Sequence, residues 1–204
     1  MPRVIFYTAA TLNGFLATED DSLDWLFAVP STGSGSGDGS GSGEGSGSGE
    51  GSGTEGFPEF LEGIGVLVQG ASTYEWVIRQ EDLLAHPEKW PGYYGPRPSW
   101  VFTTRELPAV AGADIRFASG PVADVWPAIA EAAGDRDVWV VGGGDLAGQF
   151  DDAGLLDELR ISLAPATLAA GKPLLPRLLG PDRLRLQSVR QNGQFAELVY
   201  AVSR

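Results

Sequence analysis

Short apolar runs alternate along this chain with stretches of helical periodicity. Residues 4–8, 65–69, 99–103, 114–117 and 137–141 are mostly β-branched or aromatic and are bounded by turn formers, which predicts five strands. Residues 58–64, 72–78, 122–133 and 145–151 carry apolar positions at helical spacing, with Pro121 and Pro127 limiting or bending the third of these helices. After Gly154 the strands lengthen to 158–164, 184–191 and 194–202, and Asn192-Gly193 between the last two predicts a hairpin. A βαβ series that closes on an antiparallel hairpin predicts one α/β domain with a mixed, mostly parallel sheet flanked by helices.

One stretch breaks the pattern. Residues 33–53 repeat glycine with Ser, Asp or Glu in a period of six and hold nothing that can be buried, so a flexible coil is expected there. Its regularity is that of an engineered linker, although a natural low-complexity expansion would read the same. It interrupts a single domain spanning 1–204, because the 32 residues before it are too few to fold alone.

Composition narrows the chemistry. The chain has no cysteine, which excludes disulfides, thiolate metal sites and thiol nucleophiles, and its one histidine, His86, lies in a polar stretch that suits a solvated loop. No metal site is therefore expected. A net charge of −13 opposes nucleic acid and anionic membrane surfaces as partners. No window long enough to cross a bilayer is free of charge, and MPRVIFYTAATLNG is strand-like with no cleavage site, so a cytoplasmic protein is expected.

Three predicted strand ends carry phosphate-compatible residues. The first is Gly70-Ala71-Ser72-Thr73-Tyr74-Glu75, where Ser72 and Glu75 also fit a helix-capping box. The second is Thr103-Thr104-Arg105, two hydroxyls and a guanidinium that suit an adenosine 2′-phosphate or simple solvation. The third is Val138-Trp139-Val140-Val141-Gly142-Gly143-Gly144-Asp145-Leu146, a buried strand broken by glycines before a helix. Peptide N–H groups without neighbouring Cβ atoms can approach a pyrophosphate there, and the helix dipole favours negative charge. A tight strand-to-helix turn requires glycine for steric reasons as well. Ligands of open α/β sheets collect at the carboxyl ends of strands, so the three motifs reinforce one another.

Together with Tyr7 to Ala17, Asp24-Trp25-Leu26, Gly154 to Ile161 and Pro165, these motifs resemble the dihydrofolate reductase superfamily, in the branch of the riboflavin-biosynthesis reductase domain. The resemblance runs in family order over nearly the whole chain outside the Gly/Ser stretch. It implies a reductase that takes a hydride from NADPH, with NADH possible, and passes it to a pterin-like, pyrimidine-like or carbonyl substrate. It places the pyrophosphate on Gly142, Gly143, Gly144, Asp145 and Leu146, phosphate oxygens on Gly70, Ser72 and Thr73, and the 2′-phosphate on Thr103, Thr104 and Arg105. Asn13 and Asp24 would face the substrate, and no side chain is assigned as proton donor. Two departures stand out: Ala71 replaces a usual cation, leaving Arg105 as the main positive charge, and Asn13 replaces an acid. Relatives of this branch commonly pair, and the apolar segment 163–171 suggests a homodimer.

Other classes fit less well. Gly142 to Ala147 formally matches a Rossmann fingerprint, but five predicted strands precede it and no acid ends the next strand. No G-x-S-x-G element supports a serine hydrolase. The rival is a non-catalytic member that binds nucleotide or only dimerises. Because loop-closure cost grows only with the logarithm of length, deleting two of the six-residue repeats should change unfolding free energy by less than about 1 kcal/mol. Urea titration of the shortened chain checks this, and a larger loss would mean that the segment packs.

Overall fold

A computed structural model describes residues 1–30 and 56–204, so the expected coil at 33–53 lies outside the described residues. The elements run β1 (Val4–Thr11), β2 (Phe15–Ala17), α1 (Asp24–Phe27), α2 (Phe57–Glu62), β3 (Ile64–Gly70), α3 (Ala71–Gln80), a 3₁₀ turn at Pro87–Lys89, and α4 (Trp90–Tyr94). There follow β4 (Ser99–Phe102), β5 (Ile115–Ala118), α5 (Val122–Ala133), β6 (Asp137–Gly142), α6 (Gly144–Asp152), β7 (Leu156–Ala164), β8 (Lys172–Pro173), β9 (Leu184–Asn192) and β10 (Phe195–Val202). All eight expected strands and four expected helices are present. β2, β8, α1 and α4 are additional, short elements whose few residues carry too little periodicity to read. Among the described residues no helix is long and apolar enough to cross a membrane.

Eight strands form one sheet in the order β5-β4-β3-β6-β1-β7-β10-β9. β1 pairs in parallel with both β6 and β7, β3 with β4 and β6, and β4 with β5. Only β10 runs against its neighbours β7 and β9. The fold is the mixed, mostly parallel sheet with an antiparallel end that the pattern predicts.

The central strands are apolar on both faces because helices cover both. Val4, Phe6, Val138 and Val140 join Ile129 of α5 and Phe150 of α6 in one core. The alternate residues Ile5 and Trp139 face the other way and pack with Phe60 of α2. Farther along that face Tyr74 and Val77 of α3 meet Trp90 of α4 over Val101. Strand alternation thus distributes one hydrophobic run between two cores.

The hairpin is displaced by one residue from its expected centre. Asn192 pairs with Phe195, so the two-residue loop is Gly193-Gln194, with Gly193 at φ +60 as the first loop position of a primed turn requires. Asn192 is instead buried, and its amide donates to Glu197 Oε1 at 2.7 Å while Arg190 Nε donates to Oε2 at 2.6 Å. Removing one partner of a buried carboxylate leaves it under-solvated. Asn192→Ala should therefore cost about 1–3 kcal/mol of unfolding free energy; a loss below a few tenths in urea titration would place Glu197 in contact with water.

Candidate functional site

The sheet order brings the three strand-end motifs together. β3 lies between β4 and β6, Gly70 pairs with Phe102, and Gln69 pairs with Gly142. Gly70, Thr103 and Gly142 therefore stand side by side at the carboxyl edge.

Packing explains much of the glycine run. A Cβ on Gly142 would lie 2.6 Å from Thr73 Oγ1, so the first turn of α3 rests directly on the end of β6. Gly143 caps α6 at φ +95, a backbone conformation that side chains resist. A Cβ on Gly144 would run into the carbonyl oxygens of Pro173 and Leu174, so β8 lies against the start of α6. The first-turn N–H groups of α6 have no intrahelical acceptors, as at any helix start.

Beside this ridge opens a cavity of about 610 Å³. Ser72, Thr73, Gly142, Gly143, Gly144 and Asp145 line it. Its remaining wall is strongly aromatic. Tyr7 meets Phe57 edge to face at 5.9 Å, and Phe57 meets Trp139 at 5.5 Å. Tyr94 lies 6.3 Å from Trp139, and Phe27 of α1 stacks on Trp76 of α3 at 6.0 Å with 11° between the planes. Burial pushes the Tyr7 phenol up, and burial followed by the nearby Glu81 carboxylate pushes Tyr94 up, so both hydroxyls remain neutral. Tyr93, also in the wall, donates at 2.6 Å to Glu81, a buried carboxylate.

Charge in the lining is sparse. Lys172 of β8 faces Asp21 at 3.9 Å, joining the loop after β2 to the strand beside α6. Gln149, and after it Arg177, hold the Asp145 carboxyl below the ordinary Asp range. Asp145 is thus anionic at neutral pH.

The other expected site residues sit elsewhere. Ser72 is not an N-cap: α3 begins at Ala71 behind Gly70, with no side-chain capping bond. Glu75 turns outward instead and takes Arg105 in a two-pronged pair at 3.0 and 2.6 Å. Thr103 accepts from the Arg105 backbone N–H at 2.9 Å, and Thr104 is exposed beside it; this cluster is outside the cavity lining. Leu146 is buried in the core formed with α5. The Asn13 amide is used by the 165–170 loop, donating to the Leu168 carbonyl at 2.7 Å and accepting from the Leu168 N–H at 3.2 Å. Asp24 is exposed at the start of α1, whereas Trp25, Leu26 and Phe27 after it line the cavity.

Tyr7, Trp139 and Val141 were legible in principle, since they share one face of adjacent parallel strands. Lys172 and Asp21 carry no periodic signal and emerge only from the fold.

Comparison with known proteins agrees with this fold. The RibD C-terminal domain family model matches residues 94–196. The uncharacterized protein YwjB of Bacillus subtilis is 25% identical over 198 residues, covering 97% of each chain. A putative riboflavin biosynthesis protein from Shewanella sp. PV-4 superposes with a TM-score of 0.70 at 22% identity, covering 100% of both chains. A diaminohydroxyphosphoribosylaminopyrimidine deaminase/5-amino-6-(5-phosphoribosylamino)uracil reductase from Thermotoga maritima superposes with a TM-score of 0.60 at 14% identity, covering 99% of this chain and 57% of that one.

The tight seat of α6 against β8 makes the third glycine a sensitive position. Gly144→Ala forces a methyl group against two backbone carbonyls, and overpacking of this kind costs about 1–3 kcal/mol. Thermal unfolding of the variant should show that loss, and an unchanged midpoint would mean that the residues around 173–174 yield freely.

Proposed function

This chain belongs to the RibD C-terminal domain family, and from that premise we propose that it is an NADPH-dependent reductase of a pyrimidine-like heterocycle. The observation that carries the proposal is the junction of the β3 and β6 ends, through Ser72, Thr73 and Gly142 to Gly144, with a cavity walled by aromatic rings. Reductases of this family use NADPH. Two features suit the pyrophosphate half of such a cofactor: the first turns of α3 and α6 offer N–H groups, and Ser72 and Thr73 line the cavity beside them, while Gly142 and Gly144 are glycine because Thr73 and the 173–174 carbonyls pack against them. Gly142, Gly143 and Gly144 would hold the pyrophosphate, with Ser72 and Thr73 on its oxygens.

The reduced nicotinamide, when bound, supplies the hydride. The chain's own part is to bind, orient and keep water away. Tyr7, Phe57, Trp139 and Trp76 provide flat apolar surface for a ring, and the neutral phenols of Tyr7 and Tyr94 add no charge to it. Effective molarity from such positioning can supply a large share of a rate enhancement.

At the 2′-phosphate end, Arg105 must exchange Glu75 for the ligand. Thr104 and Arg105 would take that phosphate, and Glu75 competes for the same guanidinium. This pre-existing pair favours, as a second reading, a non-catalytic member that keeps the fold and binds nucleotide weakly. Cofactor binding with no substrate-dependent oxidation is the outcome that reading expects.

Pairing of two chains forms part of the proposal. Of the segment 163–171, Ala164 is buried in the chain's own core and Leu168 is tied to Asn13. The half-exposed Leu186 and Val189 on β9 offer more apolar surface to a second copy. Sedimentation should give a dimer at micromolar concentration, and one chain per particle would refute it.

Titration with NADPH and NADH, followed by quenching of the tryptophans, tests the central proposal. Saturation by neither at millimolar concentration would sink it. Arg105→Ala should weaken NADPH roughly ten-fold and NADH little, as expected for loss of a charge-assisted bond to phosphate. Glu75→Ala should strengthen NADPH selectively by releasing Arg105. Equal effects on both dinucleotides would assign the pair to structure.

A further inference from the structure

The glycine end of the cavity lies beside β8, and one side chain of that strand reaches it. β8 is held by backbone on two sides. Lys172 pairs with Ala17 and Pro173 with Phe15 of β2, and the Leu174 N–H donates to the Gly14 carbonyl at 2.8 Å. On its other side, a Cβ on Gly144 would run into the Pro173 and Leu174 carbonyl oxygens, so the residue next to Lys172 touches the first residue of α6. Lys172 itself lines the cavity together with Gly143, Gly144 and Asp145. Its backbone is thus fixed beside the helix start, while its side chain stays half exposed.

Its ion pair is loose. The ammonium stands 3.9 Å from an Asp21 oxygen, beyond hydrogen-bond length, and both side chains are well exposed. A pair of this kind contributes about 0–1 kcal/mol, so exchanging it costs little. Other cations nearby are held more tightly or lie elsewhere. Arg177 is bound to Asp145 at 3.1 Å and to Asp152 at 2.8 Å, and Arg105 grips Glu75 with two bonds. Arg3, Arg160 and Arg190 line a second pocket, which shares Tyr7 and Ser162 with the cavity but none of Gly142 to Asp145. Among the described residues, Lys172 is the cation that lines the cavity together with the start of α6.

A dinucleotide's pyrophosphate carries a negative charge on each phosphate. A helix start offers it about half an elementary charge. Against it stand Asp21 and Asp145 in the lining and a net charge of −13 on the chain. A full positive charge is needed at that end, and a lysine supplies one as a point charge without a fixed fork geometry. Resting on the reductase reading of this cavity, we propose that Lys172 exchanges Asp21 for the cofactor's pyrophosphate and is its charge partner. Asp21 then competes with the ligand for the ammonium. Because NADPH and NADH share the pyrophosphate, Lys172 acts on both, whereas Arg105 acts on NADPH alone.

Tryptophan quenching on the full chain tests the assignment without any turnover, with inorganic pyrophosphate titrated in parallel by calorimetry. Lys172→Gln should weaken NADPH and NADH alike, by about ten-fold each, as expected for loss of a charge-assisted contact. Lys172→Arg should retain most of the affinity, and Asp21→Asn should tighten both dinucleotides about three-fold. Undiminished binding by Lys172→Gln, of dinucleotide or of pyrophosphate, overturns the proposal. A loss confined to NADPH also overturns it, by moving Lys172 to the 2′-phosphate. An equal loss in Lys172→Arg, or weaker binding by Asp21→Asn, would assign the pair to the architecture of the β2–β8 corner and overturn it as well. The pyrophosphate arm separates this from the reductase reading. If the chain binds neither dinucleotide but binds pyrophosphate, and Lys172→Gln loses it, the reductase reading falls and Lys172 keeps its role. Binding of none of the three probes overturns both.

Discussion

Everything at the carboxyl edge depends on how closely other backbone approaches the end of β6. Thr73 seats its side chain over Gly142, and the carbonyls of Pro173 and Leu174 reach the start of α6 at Gly144. Side chains at either position would push α3 or β8 outward. The cavity's polar rim would then separate from its aromatic wall. The contact therefore does two things at once: it joins three sequence-distant segments, and it sets the first turns of α3 and α6 beside a space large enough for a ligand.

Electrostatics sets a second constraint. A strongly acidic chain commits nearly every arginine near the edge to a carboxylate partner. Arg177 bridges Asp145 and Asp152, and Arg105 is held by Glu75. These pairs are largely exposed and add little stability. Their effect is to withhold positive charge from the glycine end of the cavity, leaving backbone dipoles and Lys172 as the main attraction for anions there.

The framework of the fold was legible because its strands are long apolar runs and its helices carry clear periodicity. Val138 to Val141 read as a buried strand and is one, covered by α6 on one side and α2 on the other. The ends of elements were harder. Ser72 and Glu75 have capping-box spacing, yet Gly70 ends β3 so tightly that the helix starts at once and Glu75 finds Arg105, thirty residues on. Asn192-Gly193 has hairpin chemistry, but burial of the asparagine beside Glu197 moves the turn by one residue. The cavity itself was half legible. Its glycine ridge is written in consecutive residues and Tyr7 shares a strand face with Trp139, whereas Phe57, Trp76, Tyr94 and Lys172 join them only through the packing of helices and β8 on the sheet, and no local pattern encodes that.

The position of β1 at the middle of the sheet has a consequence for how the chain acquires its shape. Its partners are β6 and β7, and the Arg3 guanidinium at its start bonds Asp137, 134 residues later. During synthesis β1 must wait, both edges unpaired, until β6 and β7 have followed it more than a hundred residues later. Contacts of such long range make folding slow and leave apolar strand surface exposed in the interval. The chain is therefore most exposed to aggregation before its centre has closed, and its large negative charge, which keeps unfinished copies apart, protects it at that stage.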